Sequence, residues 1–318
     1  MAALAAQVAA DAWCQSAWRP EKAVEVIIPT AASGPSDLTA RFIQKILQDQ
    51  KLVIVPVLVM NKAGGNQTLA VVYLNQHPAD PHYLLYGTPT VYTNQLTGLS
   101  QIPYTDITPI AMLSVEHNAI TVRADSPMKH MRDLIDRLRA DPESIAFGMP
   151  SRGGSPHLLL SQAVRSEGVD PKKMKVVVFK TSAEAMTAAM GGHIHAVVSS
   201  AGGHLAQVQA GKMRILAIAA PQRQSGALAH APTLREQGID IAGVASWRGI
   251  FGPKGLAPAQ IAFWEDALTM VVATDEWKKR IEENSLSQHF LRSKDFAKYL
   301  ENEYIASRAV MADLGLVK

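Results

Sequence analysis

The stretch VEVIIPTAASGPSDLTARF at residues 24–42 joins three local patterns that together decide the fold. Residues 24–28 are mostly branched and apolar, which predicts a strand. Residues 29–37 are small and include Gly and Pro, which predicts a loop. From residue 38 to 49 the apolar residues recur at helical spacing. The stretch therefore predicts a strand, a short loop and a helix, which is the building unit of an α/β protein.

The same order of patterns returns in the second half of the chain. IAFG at residues 145–148 reads as a strand, MPSRGGSPH at 149–157 as a small-residue loop, and a helix follows. Strand and helix patterns alternate around both units, and the C-terminal third is mostly helical. The sequence therefore predicts two α/β lobes, each a mixed sheet flanked by helices, that face each other. Strands rather than a flexible tether connect them, which predicts a hinge.

Composition excludes several classes of protein. The chain has 318 residues, 31 Lys and Arg against 28 Asp and Glu, and a net charge of +3, so it lacks the basic footprint of a nucleic-acid-binding protein. No uninterrupted apolar run reaches the ~18 residues that would cross a bilayer. Cys14 is the one cysteine, so neither an internal disulfide nor a cysteine-based zinc site is predicted.

Residues 1–20 are predicted to be a leader remnant or an N-terminal extension. Residues 1–12 are small and apolar, and Ala10-Asp11-Ala12 is similar to a signal-peptidase cleavage site. A short amphipathic helix of the mature chain is the alternative for the same residues. Cys14 does not follow the small residue that a lipoprotein cleavage site needs, so a lipid anchor is not predicted.

The loop of residues 31–37 is suited to an anionic ligand. Its small side chains let a ligand approach the backbone closely, and the first N–H groups of the following helix are unpaired. A carboxylate or phosphate fits such a helix start without a basic side chain. Ser33 and Ser36 add hydroxyl donors, whereas Asp37 is better interpreted as the cap of the helix. An ordinary βα turn remains the alternative for the whole loop.

The loop of residues 151–157 has the same character and adds a basic group. Pro156 suits the first turn of a helix. Arg152 could clamp a carboxylate with two hydrogen bonds, or it could be a solvated surface residue. His157 is interpreted as a packed residue on the helix face.

Neither a metal site nor a catalytic set is predicted. His193 and His195 share a strand face and His204 follows, but no carboxylate or cysteine accompanies them at ligand spacing. The G-x-S-x-G motif is absent, and Ser155 and His157 are too close in sequence to form a dyad. A hydrolase acting on a small carboxylate ester is the alternative of a different class, and it would need a nucleophile, a base and an orienting acid in one cleft.

Beyond these patterns, the chain resembles a known family over roughly residues 21–318. The segments that carry the resemblance are VEVIIPTAASGPSDLTARF (24–42), NKAGGN (61–66), YLLYGTPT (83–90), ITPIAMLS (107–114), SRGGSPHLL (151–159), FKTSAEAMTAAMGGHIHAVVSS (179–200), LAQVQAGKMRILAIAAPQR (205–223), APTLREQGI (231–239) and SWRGIFGPKGL (246–256). In this order and spacing they are similar to the periplasmic solute-binding proteins of tripartite tricarboxylate transporters, the Bug or TctC family.

The resemblance implies the two-lobed Venus-flytrap fold of periplasmic binding proteins, a division of the chain and a set of ligand contacts. Lobe one would comprise residues 21–122 and 235–318, and lobe two residues 123–234. Family members hold the carboxylate of an organic acid between the first βα loop and the corresponding loop of lobe two. Carried over to this sequence, the contacts are Ala32, Ser33, Gly34, Ser36, Asp37, Thr88, Thr90, Ser151, Arg152, Gly153, Gly154, Ser155, Thr181, Ser199 and Ser200.

The resemblance also implies partners and a compartment. A monomer in the periplasm would capture a small organic acid and deliver it to the membrane permease subunits of a tripartite tricarboxylate transporter. A sensor protein could take the place of the permease. Catalysis, cofactor, metal and nucleic acid are not implied.

Departures from the family pattern bear on the ligand. Many members have Gly-Gly where this chain has Ser33-Gly34, and Asp-Asn where it has Ser199-Ser200. They often have a small or amide residue at the position of Arg152. The loss of an acid and the gain of a guanidinium favour a citrate-like di- or tricarboxylate. An aromatic carboxylate such as terephthalate is the alternative ligand.

Overall fold

The structure is a computed structural model that describes residues 18–33, 35–150, 152–179, 181–241 and 246–318. Eleven strands are found there: β1 (Val24–Ile28), β2 (Val57–Asn61), β3 (Tyr83–Gly87), β4 (Ile107–Glu116), β5 (Asn118–Arg123), β6 (Ala146–Met149), β7 (Lys175–Val178), β8 (Ala196–Ser200), β9 (Met213–Ile218), β10 (Ser246–Pro253) and β11 (Ser287–Arg292). The α-helices are α1 (Pro35–Asp49), α2 (Thr68–Asn75), α3 (Thr90–Leu96), α4 (Met131–Ala140), α5 (Ser155–Ser166), α6 (Ser182–Met190), α7 (Leu205–Gln209), α8 (Pro258–Ala273), α9 (Asp275–Glu283) and α10 (Ser293–Asp313).

The strands form two mixed sheets, which confirms the predicted α/β class. The first sheet has the order β11-β4-β10-β3-β1-β2, with β1 parallel to β2 and β3, and with β10 antiparallel to β3 and β4. The second has the order β7-β6-β8-β5-β9, with β6 parallel to β7 and β8, and with β5 antiparallel to β8 and β9. Because the loops after parallel strands share one edge of a sheet, each sheet has an edge at which several loops meet.

The chain passes between the sheets within one residue. β4 ends at Glu116 in the first sheet and β5 begins at Asn118 in the second. His117 lies between them, and its Nδ1 is 3.0 Å from the carbonyl oxygen of Ala219, which follows β9. β5 falls inside the range 21–122 assigned to lobe one from the sequence, but its hydrogen bonds place it in the second sheet.

Two local predictions need correction. The apolar run VIVPVLV at residues 53–59 predicts the second strand, whereas β2 is Val57–Asn61. The amides of Leu52 and Val53 instead donate to the carbonyl of Leu47 and close the end of α1. The C-terminal third, predicted as mostly helical, also contributes β10 and β11 to the first sheet.

Buried aromatic residues anchor the first sheet. Trp247 on β10 and Trp264 on α8 are fully buried, and Phe296 on α10 packs edge-on against Trp247 with ring centroids 5.3 Å apart. Burying such large side chains stabilises a fold by about 1.5–3 kcal/mol each relative to exposure. The first sheet is therefore held by helices from the end of the chain.

The last helix joins the two sheets. Phe296 near the start of α10 is buried against β10, whereas Asp313 at its end forms an ion pair with Arg165 on α5. Beyond α10, the amide of Lys318 donates to the carbonyl of Leu96 at 3.0 Å. In the part of the chain that the structure describes, no helix combines the length and the apolar character needed to cross a bilayer.

Candidate functional site

A cleft of about 550 Å³ lies between elements of the two sheets. The first sheet and its helices contribute polar side chains from Thr39, Tyr86, Glu116, Ser246 and Arg248. The second contributes Asn118, Ser155, Ser182 and Ser200, and the turn at residues 283–286 closes one end. At that end Gly202 approaches the carbonyl of Asn284 so closely that a Cβ on it would lie 2.9 Å from the oxygen.

An ion pair lies in the wall of this cleft. Arg248 Nη2 donates to Glu116 Oε2 at 2.5 Å, and each side chain is about one-fifth exposed. Arg248 Nη1 donates to Ser246 Oγ at 2.6 Å and to the carbonyl of Trp247 at 3.0 Å. Glu116 lies on β4 and Arg248 on β10. These two strands pair with each other, and their register is irregular between Arg248 and Gly249. The guanidinium is therefore held on two sides by the protein itself.

The second sheet reaches the same ion pair. The hydroxyl of Ser200, the last residue of β8, donates to Glu116 Oε1. The Glu116 carboxylate thus connects Arg248 in one sheet with Ser200 in the other, at the place where the chain crosses between them.

Ser155, the first residue of α5, presents its hydroxyl at the cleft. Its Oγ accepts a hydrogen bond of 3.1 Å from Nδ2 of Asn118, which is 2% exposed. Because Oγ is the acceptor in this contact, the O–H of Ser155 stays available to donate to a ligand. The N-termini of α5 and α6 both meet the cleft, through Ser155 and Ser182. Their partial positive charge favours an anionic group there.

Tyr86 and Thr39 form the cleft wall on the side of α1. Tyr86 is 1% exposed, and burial raises the pKa of its hydroxyl. That hydroxyl is hydrogen-bonded to Thr39, in the second turn of α1.

The loop before α1 is held by Asp37. One oxygen of this buried carboxylate accepts hydrogen bonds from the amide of Ser33 at 2.9 Å and from Arg41 Nε at 3.0 Å, and the other accepts one from Asn61 Nδ2 at 2.9 Å. The hydrogen bond from Arg41 is the main cause that lowers the pKa of Asp37 to about 2. Ser33 has a positive φ of 65°, a backbone conformation that residues other than glycine rarely adopt. Its hydrogen bond to Asp37 therefore stabilises an unusual loop conformation.

Three further residues predicted in this loop, Ala32, Ser33 and Ser36, do not line the cleft. Ala32 and Ser33 are exposed, and Ser36 is half-buried in the first turn of α1. Gly34, also predicted as a contact, lies outside the described residues.

Thr88 and Thr90 bind Gln67 at the edge of the first sheet. Gln67 Oε1 accepts from the Thr88 hydroxyl at 3.0 Å and from the Thr90 hydroxyl at 2.8 Å. Gln67 has a left-handed backbone, with φ at 76°. Gln67 was not predicted as a site residue, although it directly follows the quoted NKAGGN turn.

Arg152 does not line the cleft. It is exposed, and its charge acts on buried His157, whose pKa is lowered to about 4 chiefly by burial and further by Arg152. Gly153 has a φ of 80°, which suits glycine, and its amide donates to His157 Nδ1 at 3.0 Å. Gly154 is the N-cap of α5, and Ser151 lies outside the described residues.

Thr181 and Ser199 have partners within the second lobe. Thr181 caps α6, its Oγ1 accepting from the amide of Glu184 at 3.1 Å. Ser199 is 1% exposed and its Oγ lies 2.5 Å from His204 Nε2. Neither side chain lines the cleft.

The Ser199–His204 pair bears on the hydrolase alternative. His204 is fully buried, burial lowers its pKa to about 4, and its Nδ1 faces Thr121 Oγ1 at 2.6 Å. A threonine thus stands where a triad would place a carboxylate, and the serine has no access to a ligand. Ser155, the other candidate nucleophile, contacts Asn118 instead of a histidine.

Histidines and acids do not converge on a metal site in the described chain. Among those residues, no group of three or more His, Cys, Asp or Glu side chains is placed to hold an ion. His195 instead accepts from the amide of Ala146 at 3.0 Å. Cys14 and the predicted cleavage site lie outside the described residues.

Of the predicted contacts, then, the described structure brings Ser155 and Ser200 together in the cleft. Glu116, Asn118, Tyr86 and Arg248 were not predicted. ITPIAMLS and SWRGIFGPKGL both figure in the family resemblance, but nothing in either segment shows that their strands pair, which is what brings Glu116 to Arg248.

Comparison with known proteins gives the family and the fold of the chain. Residues 39–316 match the model of the tripartite tricarboxylate transporter family receptor, TctC. A relative from Cupriavidus necator, "UPF0065 protein in gbd 5'region", is 26% identical over 321 residues, covering 100% of this chain and 93% of its own. A TctC solute-binding protein from Polaromonas superposes with a TM-score of 0.81 at 24% identity, covering 93% of this chain and 99% of that one. An R. palustris protein with adipate superposes with a TM-score of 0.76 at 24% identity, covering 94% and 99%.

Proposed function

This chain belongs to the tripartite tricarboxylate transporter receptor family, and from that membership we propose that it captures a small organic carboxylate in the cleft between its two lobes. The cleft carries this proposal, because the N-termini of α5 and α6 and the Ser155 hydroxyl all meet there. Together they offer partial positive charge and a hydroxyl donor to one carboxylate. The adipate held by the R. palustris protein of the same fold supports a carboxylate as ligand.

The receptor acts without covalent chemistry. A ligand that contacts both lobes stabilises the closed state, and the closed receptor then delivers it to the permease subunits of a tripartite tricarboxylate transporter. Such a receptor works in the periplasm, and the solute-binding role of the family supports that compartment here.

The finer prediction of a citrate-like di- or tricarboxylate has less support than the carboxylate itself. It depended on Arg152, which is exposed and does not line the cleft. The aromatic alternative has little support either, since Tyr86 is the one aromatic residue among the described residues of the lining.

A thermal-shift panel tests the proposal. The purified chain is screened with succinate, malate, citrate, tricarballylate, adipate, terephthalate, glutamate and nicotinate. We expect at least one acid to raise the unfolding temperature in a concentration-dependent way. By mass action, a ligand at 100 times its Kd should raise the free energy of unfolding by about 2.7 kcal/mol. Silence across the panel, with protein shown to be free of bound ligand, would contradict the proposal.

A matched pair of variants then places the ligand. Ser155→Ala removes a hydroxyl donor at the cleft, so affinity for the best acid should fall about tenfold or more, as for a hydrogen bond to a charged group. Ser166→Ala, on the same helix, removes a hydroxyl that donates to the carbonyl of Ala163 and should leave affinity unchanged. Equal affinity in both variants would move the ligand away from α5.

A further inference from the structure

The charged side chains that line the cleft are unbalanced. Among the described residues of the lining they are Arg248, Glu116 and Glu283, one guanidinium against two carboxylates. A cleft built to hold two or three carboxylates would need more positive charge than negative, because like charges at close range oppose binding.

The single guanidinium of that lining is already engaged. Arg248 Nη2 donates to Glu116 at 2.5 Å, and Nη1 donates to Ser246 Oγ at 2.6 Å and to the carbonyl of Trp247 at 3.0 Å. Glu116 thus already balances the charge of Arg248, and a ligand carboxylate that paired with Arg248 would compete with Glu116 for it. Both side chains are about four-fifths buried, so breaking that pair is costly.

Glu116 itself has room for another donor. Its Oε1 accepts from Ser200 and its Oε2 accepts from Arg248. A carboxylate offers about four acceptor sites, so these two contacts leave acceptor capacity on the part of Glu116 that is exposed to the cleft. The contacts also hold the carboxylate in place before any ligand arrives, which reduces the cost of ordering it.

The cleft therefore combines groups that favour a negative charge with a group that favours a positive charge. The N-termini of α5 and α6 favour a negative group at one part of it, whereas Glu116 presents negative charge at another. A ligand with a carboxylate and an ammonium group would satisfy both parts. A dicarboxylate of the same length would place its second carboxylate against Glu116.

We propose that Glu116 makes this cleft selective for amino-carboxylates, which carry one carboxylate and one ammonium group, over dicarboxylates of equal length. This inference rests on the proposed function, since it assumes that a carboxylate binds in the cleft. Glu116 accepts hydrogen bonds from the ammonium group, and Arg248 and Ser200 hold Glu116 in position for it.

Calorimetric titration of length-matched ligand pairs tests the selectivity directly. The pairs are β-alanine with succinate, 4-aminobutyrate with glutarate, and 5-aminopentanoate with adipate, each differing by an ammonium group in place of a terminal carboxylate. For the best-fitting length we expect the amino-carboxylate to bind at least tenfold more tightly. This comparison uses the unmodified chain, so it stands even if a variant fails to fold.

Glu116→Gln identifies the residue responsible. The substitution keeps the shape of the side chain, removes its charge and frees Arg248 from its ion pair, so the preference should fall at least tenfold and move toward the dicarboxylate. Glu282→Gln makes the same charge change on exposed α9, outside the cleft lining, and should keep the wild-type ratio.

The outcomes separate this inference from the one beneath it. Tighter binding of the dicarboxylate by the unmodified chain, or an unchanged ratio in folded Glu116→Gln, would overturn the role of Glu116 and leave carboxylate capture standing. Binding of neither member of any pair, nor of any acid in the thermal-shift panel, would overturn both.

Discussion

At the scale of single residues, burial and hydrogen bonding separate groups that face the cleft from groups that shape it. Ser200 and Ser199 are neighbours on β8, yet Ser200 reaches Glu116 in the cleft while Ser199 reaches His204 in the interior. Successive side chains of a strand point to opposite faces, so the pair predicted as two ligand contacts is divided between two roles. Glu116 also restores a negative charge next to the position where the sequence argument counted an acid as lost.

Asp37 belongs to the group that shapes the site. Asp37→Asn should lower the free energy of unfolding at pH 7 by about 2 kcal/mol, because the donors of Ser33, Arg41 and Asn61 lose a buried, charged acceptor. The folded pKa of Asp37, about 2, lies below its usual 3.8. The stabilisation is therefore complete above pH 3.8 and is lost as the pH falls toward 2.

Urea unfolding of both proteins at pH 7, 4 and 3 measures this. The gap between wild type and Asp37→Asn should narrow toward pH 3. Asp49→Asn, at the exposed end of the same helix, should change stability by less than about 0.5 kcal/mol. A gap independent of pH would show that the Asp37 charge is not what holds the loop.

At the scale of elements, α10 carries an ionisable group whose burial makes the packing of the helix depend on pH. Glu303 is hydrogen-bonded to Tyr92 of α3, and Tyr92 is 1% exposed. Burial is the main cause that raises the pKa of Glu303 to about 7. The packing of α10 on the first lobe therefore favours a neutral carboxyl at this position.

Glu303→Gln should remove that pH dependence. The pKa of Glu303 in the folded state lies above its usual 4.5, so the folded state binds the proton more tightly than the unfolded state. The stabilisation from this proton is complete below pH 4.5 and is lost as the pH rises through about 7. Glutamine stays neutral, so between pH 5 and pH 8 the free energy of unfolding of the variant should rise by about 2 kcal/mol relative to that of the wild type. Denaturant unfolding at both pH values measures the gain, and exposed Glu301→Gln on the same helix is the control. An equal effect at both pH values would contradict the assignment.

At the scale of the whole molecule, two kinds of connection act on the lobes. The crossing at Glu116, His117 and Asn118 is short and lies beside the cleft, and the ion pair between Arg165 and Asp313 joins α5 to the end of α10. A short crossing beside a cleft between two sheets is the geometry of hinge closure.

Ligand binding should therefore make the molecule more compact. Small-angle scattering of the chain with its best ligand at 100 times Kd should give a smaller radius of gyration than the free chain, because the closed state is populated only with contacts to both lobes. Ser155→Ala at the same ligand concentration should close less completely, since its affinity is lower. An unchanged radius of gyration at proven saturation would contradict closure.

Local sequence was sufficient for much of the fold. The small-residue loops after β1 and β6, and the helices that begin after them, follow from residue types within a window of some twenty positions, because strand and helix periods are local properties. Pro156 already indicated the start of α5. The family, too, was identified from the order of short segments, which the match over residues 39–316 confirms.

The composition of the cleft was decided only by the tertiary structure. Arg248 and Glu116 are 132 positions apart, and antiparallel pairing of β4 with β10 brings them together. Ser155 and Asn118 meet because α5 packs beside β5. Such contacts depend on which strands become neighbours, and that depends on packing across the whole chain. The sequence by itself therefore determined what kind of protein this is and where its loops begin, whereas the tertiary structure decided which side chains face the cleft and with what charge.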